Sequence, residues 1–321
     1  MKLGISLPHR GRHASPEAIR DIAQAAEAMG FGSIWTVDHV APVRHTESMY
    51  DLGPELRPIS GEDFSRDIAP LFECITTMTF VAAITTHIQI GSAVCVLPLR
   101  NPLYNAKQLA TLDALSGGRL LLGVGAGWLS EEAEAMGMPW DHRGARTDEH
   151  IEVLHALWRS SGDFVTYDGV YYSFPELNPE PRPVGPLPIL VGGHSTAAKN
   201  RAGRLGDGWI SHRLPAALHQ AGATEIKTIA QDSGRDPDQL IFAGSVDAPA
   251  DLTDRAGYEK LRERTLQYAR TDTQHLVLNS AYPGSRRGEA TSNMQAQLNV
   301  MEWISQDLLP ELDNPKDQKP V

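Results

Sequence analysis

Apolar and polar positions follow two alternating patterns along this chain. Short apolar runs at residues 2–7, 33–37, 88–97, 120–122, 187–191, 207–211, 240–246 and 275–279 have the length of buried strands. The segments between them carry apolar residues three and four apart, the period of a helix packed on one face. Ser15-Pro16-Glu17 reads as a helix start, Ile19, Ile22, Ala26 and Met29 share a face, and Gly30 ends the segment. Asn101-Pro102 opens another helix that runs to Gly117-Gly118. The last helix, about residues 291–309, places Met294, Leu298, Met301, Ile304 and Leu308 on one side, and the tail from Pro310 is expected to fray.

Eight strand–helix units predict an α/β fold, one (β/α)8 barrel domain over residues 1–321. A doubly wound open sheet would carry GxGxxG after its first strand. Here the Gly-rich turn follows the fourth strand, with spacing GxGxG. Two insertions stand out. From Val40 to about Asp67 there is no periodicity, and segment 40–69 is read as a lid over the site, with disorder as the alternative. Before the fifth strand, Tyr167-Asp168-Gly169-Val170-Tyr171 has hairpin chemistry with Asp-Gly at its turn.

Barrel active sites lie where strands end at their C-termini. That rule selects Ser6 and Leu7, Asp38 and His39, Ala93, Val94 and Cys95, Gly125 to Trp128, Gly192 to Ser195, Ser211 and His212, and Asn279. The fourth strand ends in glycines at alternate positions, Gly123, Gly125 and Gly127. Either a flat cofactor lies against bare backbone there, or the turn simply needs glycine angles. Asp38-His39 is the acid–base candidate, because imidazole titrates near neutrality and a carboxylate can orient it. The alternative is a surface histidine opening a loop. Gly192-Gly193-His194-Ser195 opens a helix and would bind an anion through backbone N–H groups, reinforced by Lys199 and Arg201 if they face inward. The alternative there is an N-cap serine after a tight turn.

Bulk properties narrow the classes. Of 321 residues, 41% are hydrophobic and 21% charged, which is ordinary for a globular chain. The net charge of −11 argues against a nucleic-acid surface. Cys74 and Cys95 form neither a disulfide framework nor a metal cluster. The N-terminus MKLGISLPHR lacks a long apolar core, and no run approaches the roughly 20 apolar residues of a membrane helix, so a cytoplasmic location is expected. His9 and His13, or His39 and His45, lack helical metal spacing such as HExxH, and no GxSxG elbow occurs. No metal site is expected.

Five segments together resemble the luciferase-like flavin and deazaflavin oxidoreductases. They are KLGISLP, EAMGFGSIWTVDH, IQIGSAVCVLPLRNPLYNAKQLATLDALSGGRLLLGVGAGW, RGARTDEHIEVLHALW and PILVGGHSTAAKNRAGRLGDGW. The resemblance covers roughly residues 1–212 and, more weakly, the last helix. It implies a (β/α)8 barrel that binds coenzyme F420 or FMN at the strand C-termini, and the VDH ending is more similar to the F420-using branch. It further implies His39 beside the ring, Asp38 in the cofactor shell, and a non-prolyl cis peptide at Ala93–Val94 behind the ring. Ala126 and Gly127 would line the ring, and Gly192, Gly193, His194 and Ser195 would hold the phosphate-bearing tail. Ser6 joins the cofactor shell by position. Members that act on sugar phosphates have a tryptophan shortly after the DH pair and a glutamate after the glycines. Val43 and Trp128 stand there instead, which argues against a sugar phosphate and leaves that acid–base pair incomplete. Trp128 and Leu7 would then wall a pocket for a small apolar or aromatic substrate. The expected activity is hydride transfer between F420 and that substrate, with His39 exchanging the proton and Asp38 orienting it. The rival is an FMN-dependent monooxygenase fed by a partner reductase; a non-catalytic cofactor-binding barrel is the third reading. Relatives pair through helices near the second and third strands, so a homodimer is expected.

Overall fold

The computed structural model describes residues 1–11, 13–41, 43–44, 46–48, 68–248, 255–279 and 294–313. Most of the expected lid, residues 49–67, lies outside that set. The order is β1 (Lys2–Ser6), α1 (Pro16–Ala28), β2 (Ser33–Thr36), α2 (Cys74–Ile84), β3 (Gln89–Ser92), β4 (Cys95–Val96) and α3 (Pro102–Ser116). There follow β5 (Leu120–Gly125), α4 (Ser130–Ala135), α5 (Arg143–Arg159), a hairpin of β6 (Val165–Asp168) and β7 (Ser173–Leu177), and β8 (Ile189–Gly192). The chain closes with α6 (Thr196–Arg204), β9 (Gly208–Ile210), α7 (Ala216–Asp232), β10 (Ile241–Asp247), α8 (Arg255–Ala269), β11 (Thr273–Asn279), α9 (Met294–Trp303) and α10 (Leu309–Asp313).

The main sheet runs β3-β2-β1-β11-β10-β9-β8-β5-β4, and β3 also pairs with β5, so the ring closes. Every pairing in it is parallel. β3 and β4 are two halves of one stave, which gives the predicted eight. Gly91 faces Leu121 while Cys95 faces Val124, so this stave holds one residue more than β5 between those points. The extra residue forms a bulge at Ala93–Val94, whose peptide bond is cis, as the resemblance implied. The run 88–97 is therefore not one continuous strand.

Two apolar layers hold the barrel. Outside the ring, α1 buries Ile19, Ile22 and Ala26 in a large core shared by strands and helices. Ser15 caps α1 by accepting from the Ala18 N–H, and Asn101 caps α3 by accepting from Leu103 and Tyr104. Inside, Trp35, Leu121, Leu190, Ile210, Ala243 and Val277 form a separate plug. Trp35 fits because its neighbours are small: a Cβ on Gly91 would lie 2.4 Å from its ring and one on Gly4 2.7 Å from its Nε1. Truncating such a buried indole costs about 3–5 kcal/mol.

Three expectations need correction. Leu7 does not wall a pocket, because it is fully buried in the outer core. The hairpin turn is not a two-residue Asp-Gly turn: Asp168 faces Ser173, and Glu149 of α5 ties the intervening loop by accepting from Val170, Tyr171 and Tyr172 N–H. Pro310 does not end the last helix. A π-helical turn at Ile304–Leu308 joins α9 to α10, where proline sits in the first turn and needs no N–H partner. Met301, Ile304 and Leu308 are buried as expected, but Met294 is exposed.

Candidate active site

The β2 end carries Asp38 and His39, and the two side chains part. Asp38 is fully buried and receives Arg100 in a bidentate pair, Nη1 to Oδ2 at 2.5 Å and Nη2 to Oδ1 at 2.9 Å. Its Oδ2 also accepts the Val96 N–H at 2.8 Å, and Arg100 reaches on to Glu73 at 3.0 Å. Asp38 thus fastens the stave just beyond the bulge. The expected Asp38–His39 pairing does not form, because Arg100 and Val96 saturate the carboxylate.

His39 finds a different acid. Its Nδ1 lies 2.9 Å from Glu132 Oε2, in the first turn of α4. A carboxylate can only accept, so Nδ1 carries the proton and donates it. Glu132 Oε1 accepts from the Val40 and Ala41 N–H groups at 2.6 and 2.9 Å. Burial works to raise the Glu132 pKa, but His39 and these two N–H groups outweigh it and hold the carboxyl below its ordinary value. The group is an ionised carboxylate. The adjacent Glu131 binds the same loop further on, accepting from Glu47 N–H at 2.6 Å and Ser48 Oγ at 2.7 Å. Consecutive glutamates thus fix both ends of residues 40–48. Trp128 stands edge-on to His39, with centroids 5.8 Å apart at 84°.

The glycine rim is less bare than the sequence suggests. A Cβ on Gly125 would lie 2.6 Å from Val94 Cγ2, and one on Gly192 2.7 Å from Val94 Cγ1. A Cβ on Gly123 would meet the Ser92 carbonyl at 2.0 Å. The glycines make room for the bulge, and Val94 fills the space between β5 and β8. Gly127 has φ +80°, so turn geometry is also part of their cause.

Across the mouth, Ser195 caps α6 by accepting from the Ala198 N–H at 3.2 Å. Gly193, Ser195, Thr196 and Ala197 are exposed. Lys199 and Arg201 do not reinforce this turn, for they bind Glu225 and Asp148. His194 Nε2 accepts the His212 N–H at 3.1 Å, His212 Nδ1 lies 3.2 Å from Ser245 Oγ, and Arg213 and Asn279 both donate to Asp247 Oδ1. Burial, with the charges of Arg213 and Arg10, lowers the His212 pKa to about 3, so the ring stays neutral. Ser6 ends β1, buried beside Trp35. His9, which the sequence marked only as a non-metal histidine, is a latch. Its Nδ1 donates to the Leu7 carbonyl at 3.0 Å and its Nε2 accepts the Val37 N–H at 3.0 Å, tying β1 to β2. Burial lowers its pKa to about 4.

Four of the predicted residues, His39, Ala126, Gly127 and Trp128, line one narrow slot. Glu132, Leu99, Met138, Trp140 and Arg143 stand among the other residues of its walls. The Ala93–Val94 bulge and the Gly192–Ser195 turn belong to adjoining staves; Asp38 and Leu7 do not line the slot. Glu132 was missed because two acids after Ser130 read as ordinary charges at a helix N-terminus.

A closed parallel barrel with a histidine–carboxylate pair at its mouth is the class that fold and site define. A family model of luciferase-like monooxygenases matches residues 1–310, and the chain belongs to that family. It is 38% identical over 189 residues to an uncharacterised protein of Mycobacterium tuberculosis, covering 59% of this chain and 63% of that one. It is 36% identical over 219 residues to an F420-dependent glucose-6-phosphate dehydrogenase of Beutenbergia cavernae, covering 64% and 58% respectively. The chain thus spans about three-fifths of the length of these relatives. Among solved structures, an F420-dependent secondary alcohol dehydrogenase bound to an F420–acetone adduct superposes with TM-score 0.72 at 17% identity, covering 96% and 98% of the two chains. A monooxygenase of Streptomyces bottropensis superposes with TM-score 0.70 at 20% identity, covering 97% and 99%. These two establish likeness of fold. Among the described residues, no helix is long and apolar enough to cross a membrane.

Proposed function

We propose that the chain is an F420-dependent oxidoreductase acting on a small organic substrate with an apolar face. The observation that carries this reading is the His39 ring held by ionised Glu132 beside the Ala126–Gly127 rim. The residues present fit a flat ring. The Val94 bulge, wedged where Cβ atoms of Gly125 and Gly192 would otherwise stand, makes a firm floor, and the exposed α6 turn offers N–H groups for a phosphate. F420 supplies hydride chemistry when bound.

The chain's own residues would supply the rest. Glu132 fixes the His39 tautomer, so Nε2 is the atom that takes or gives the substrate proton. Trp128 and Leu99 shield that proton from bulk water. Asp38, bound to Arg100 and Val96, holds the bulge and not the proton. With Trp128 after the glycines, a sugar phosphate remains disfavoured, although glucose-6-phosphate dehydrogenases are among the relatives.

Titration of the purified protein with F420 and with FMN, followed by fluorescence quenching, tests the reading. Tight F420 and weak FMN binding is expected. The reverse would favour a monooxygenase supplied by a reductase, and binding of neither would favour a non-catalytic barrel. A homodimer belongs to the same reading and is checked by sedimentation.

A further inference from the structure

A second cavity, of about 340 Å³, lies beyond the slot and shares Pro98, Leu99, Met138 and Pro139 with it. Its remaining polar lining is Arg100, Asn101, Arg146 and Tyr172. Two of these are already committed: Arg100 to Asp38 and Glu73, and Asn101 Oδ1 to the α3 cap. Arg146 is not. Its Nε is buried and has no hydrogen-bond acceptor, and among the described residues no carboxylate lies within ion-pair distance of its guanidinium. The nearby acids are occupied elsewhere, Glu149 by three hairpin N–H groups and Asp148 by Arg201. The Arg146 guanidinium instead stacks over Tyr171, 4.5 Å from the ring centroid. One turn earlier on α5, Arg143 repeats the pattern at the slot, stacked over Trp140 at 4.0 Å and likewise without an ion-pair partner.

Among the described residues, two guanidiniums without a carboxylate partner thus stand along apolar walls. Both side chains are half-buried, and the buried Arg146 Nε lacks an acceptor that a ligand could supply. Aromatic stacking holds each fork in place, which suits planar recognition of a carboxylate. The shared wall of Leu99, Met138 and Pro139 offers nothing to a polar chain and good contact to an alkyl or aryl one.

We infer that slot and cavity form one continuous substrate site for an apolar carboxylate, its hydrocarbon body along Leu99 and Met138 and its carboxylate on Arg146, with Arg143 assisting. This deepens the oxidoreductase reading by naming its substrate class, and it rests on that reading for the chemistry at the His39 end.

The test is calorimetric titration of the full chain with octanoate, 1-octanol and inorganic phosphate. Octanoate should bind at least about tenfold more tightly than octanol, and phosphate alone should not bind measurably. Arg146→Met should lower octanoate to the octanol level, Arg146→Lys should recover part of the loss, and Arg143→Met should cost less. Met138→Trp, which fills the apolar wall, should weaken both organic ligands. Equal binding of octanoate and octanol, phosphate binding as tightly as octanoate, or octanoate binding unchanged in Arg146→Met or Met138→Trp overturns the inference. Circular dichroism identifies a variant that fails to fold, in which case Arg146→Lys carries the test through a several-fold loss. F420 quenching on the same preparations separates the two readings. Selective octanoate binding without F420 binding sinks only the cofactor reading, and F420 binding without octanoate selectivity sinks only this one.

Discussion

The two halves of the barrel mouth handle their histidines in opposite ways. On the β2–β5 side, His39 donates to an ionised carboxylate and lines the slot. On the β8–β11 side, His194, His212 and Ser245 bond to one another, and burial keeps His212 neutral with a pKa near 3. Both halves are built from strand ends in the same sheet. The surroundings make the difference: Glu132 fixes the His39 tautomer, whereas burial and the charges of Arg213 and Arg10 keep His212 neutral. On the function proposed above, proton chemistry belongs to the His39 side.

The contrast can be broken by substitution, and the largest effect is expected at His39. His39→Ala should lower turnover by about 10²–10⁴-fold while F420 affinity moves little. Steady-state kinetics beside a quenching titration checks this, and unchanged turnover would remove His39 from the mechanism. Asp38→Asn comes next, through stability. It leaves the buried Arg100 poorly compensated and should cost about 3–5 kcal/mol, read from denaturant unfolding. Its pH–rate profile should keep the wild-type midpoint, since Asp38 does not touch His39.

Glu132→Gln should lower kcat about tenfold, because an amide still supports the loop but no longer compels Nδ1 to carry the His39 proton. A loss of stability with kcat unchanged would reduce Glu132 to a loop anchor. The latch histidine His9 sharpens the comparison by pH alone. Its ring titrates near 6.5 when unfolded and near 4 when folded, so the unfolded chain binds more protons between those values. Stability is therefore complete above about pH 6.5 and falls as pH drops towards 4. At pH 5, His9 should account for about 2 kcal/mol of that loss. A His9→Gln variant with an unchanged stability-against-pH slope would exclude it. The smallest effect is expected at His212: His212→Gln should leave the pH–rate profile between pH 5 and 8 unmoved, because a ring with pKa near 3 does not titrate there.

Strand and helix periodicity, the caps at Ser15 and Asn101, and the count of eight staves were all legible in the chain, because each rests on local spacing and local hydrogen bonds. Family resemblance on five segments placed the bulge at Ala93–Val94. Closure of the barrel then put His39, Ala126, Gly127 and Trp128 together without any further choice. Partnership was beyond the sequence. Adjacent residues at a strand end point apart, so Asp38 went to Arg100, 62 positions away, and His39 to Glu132, 93 positions away. The reason is that a charge chooses its partner by distance and burial in three dimensions, and neither quantity exists until the ring has closed.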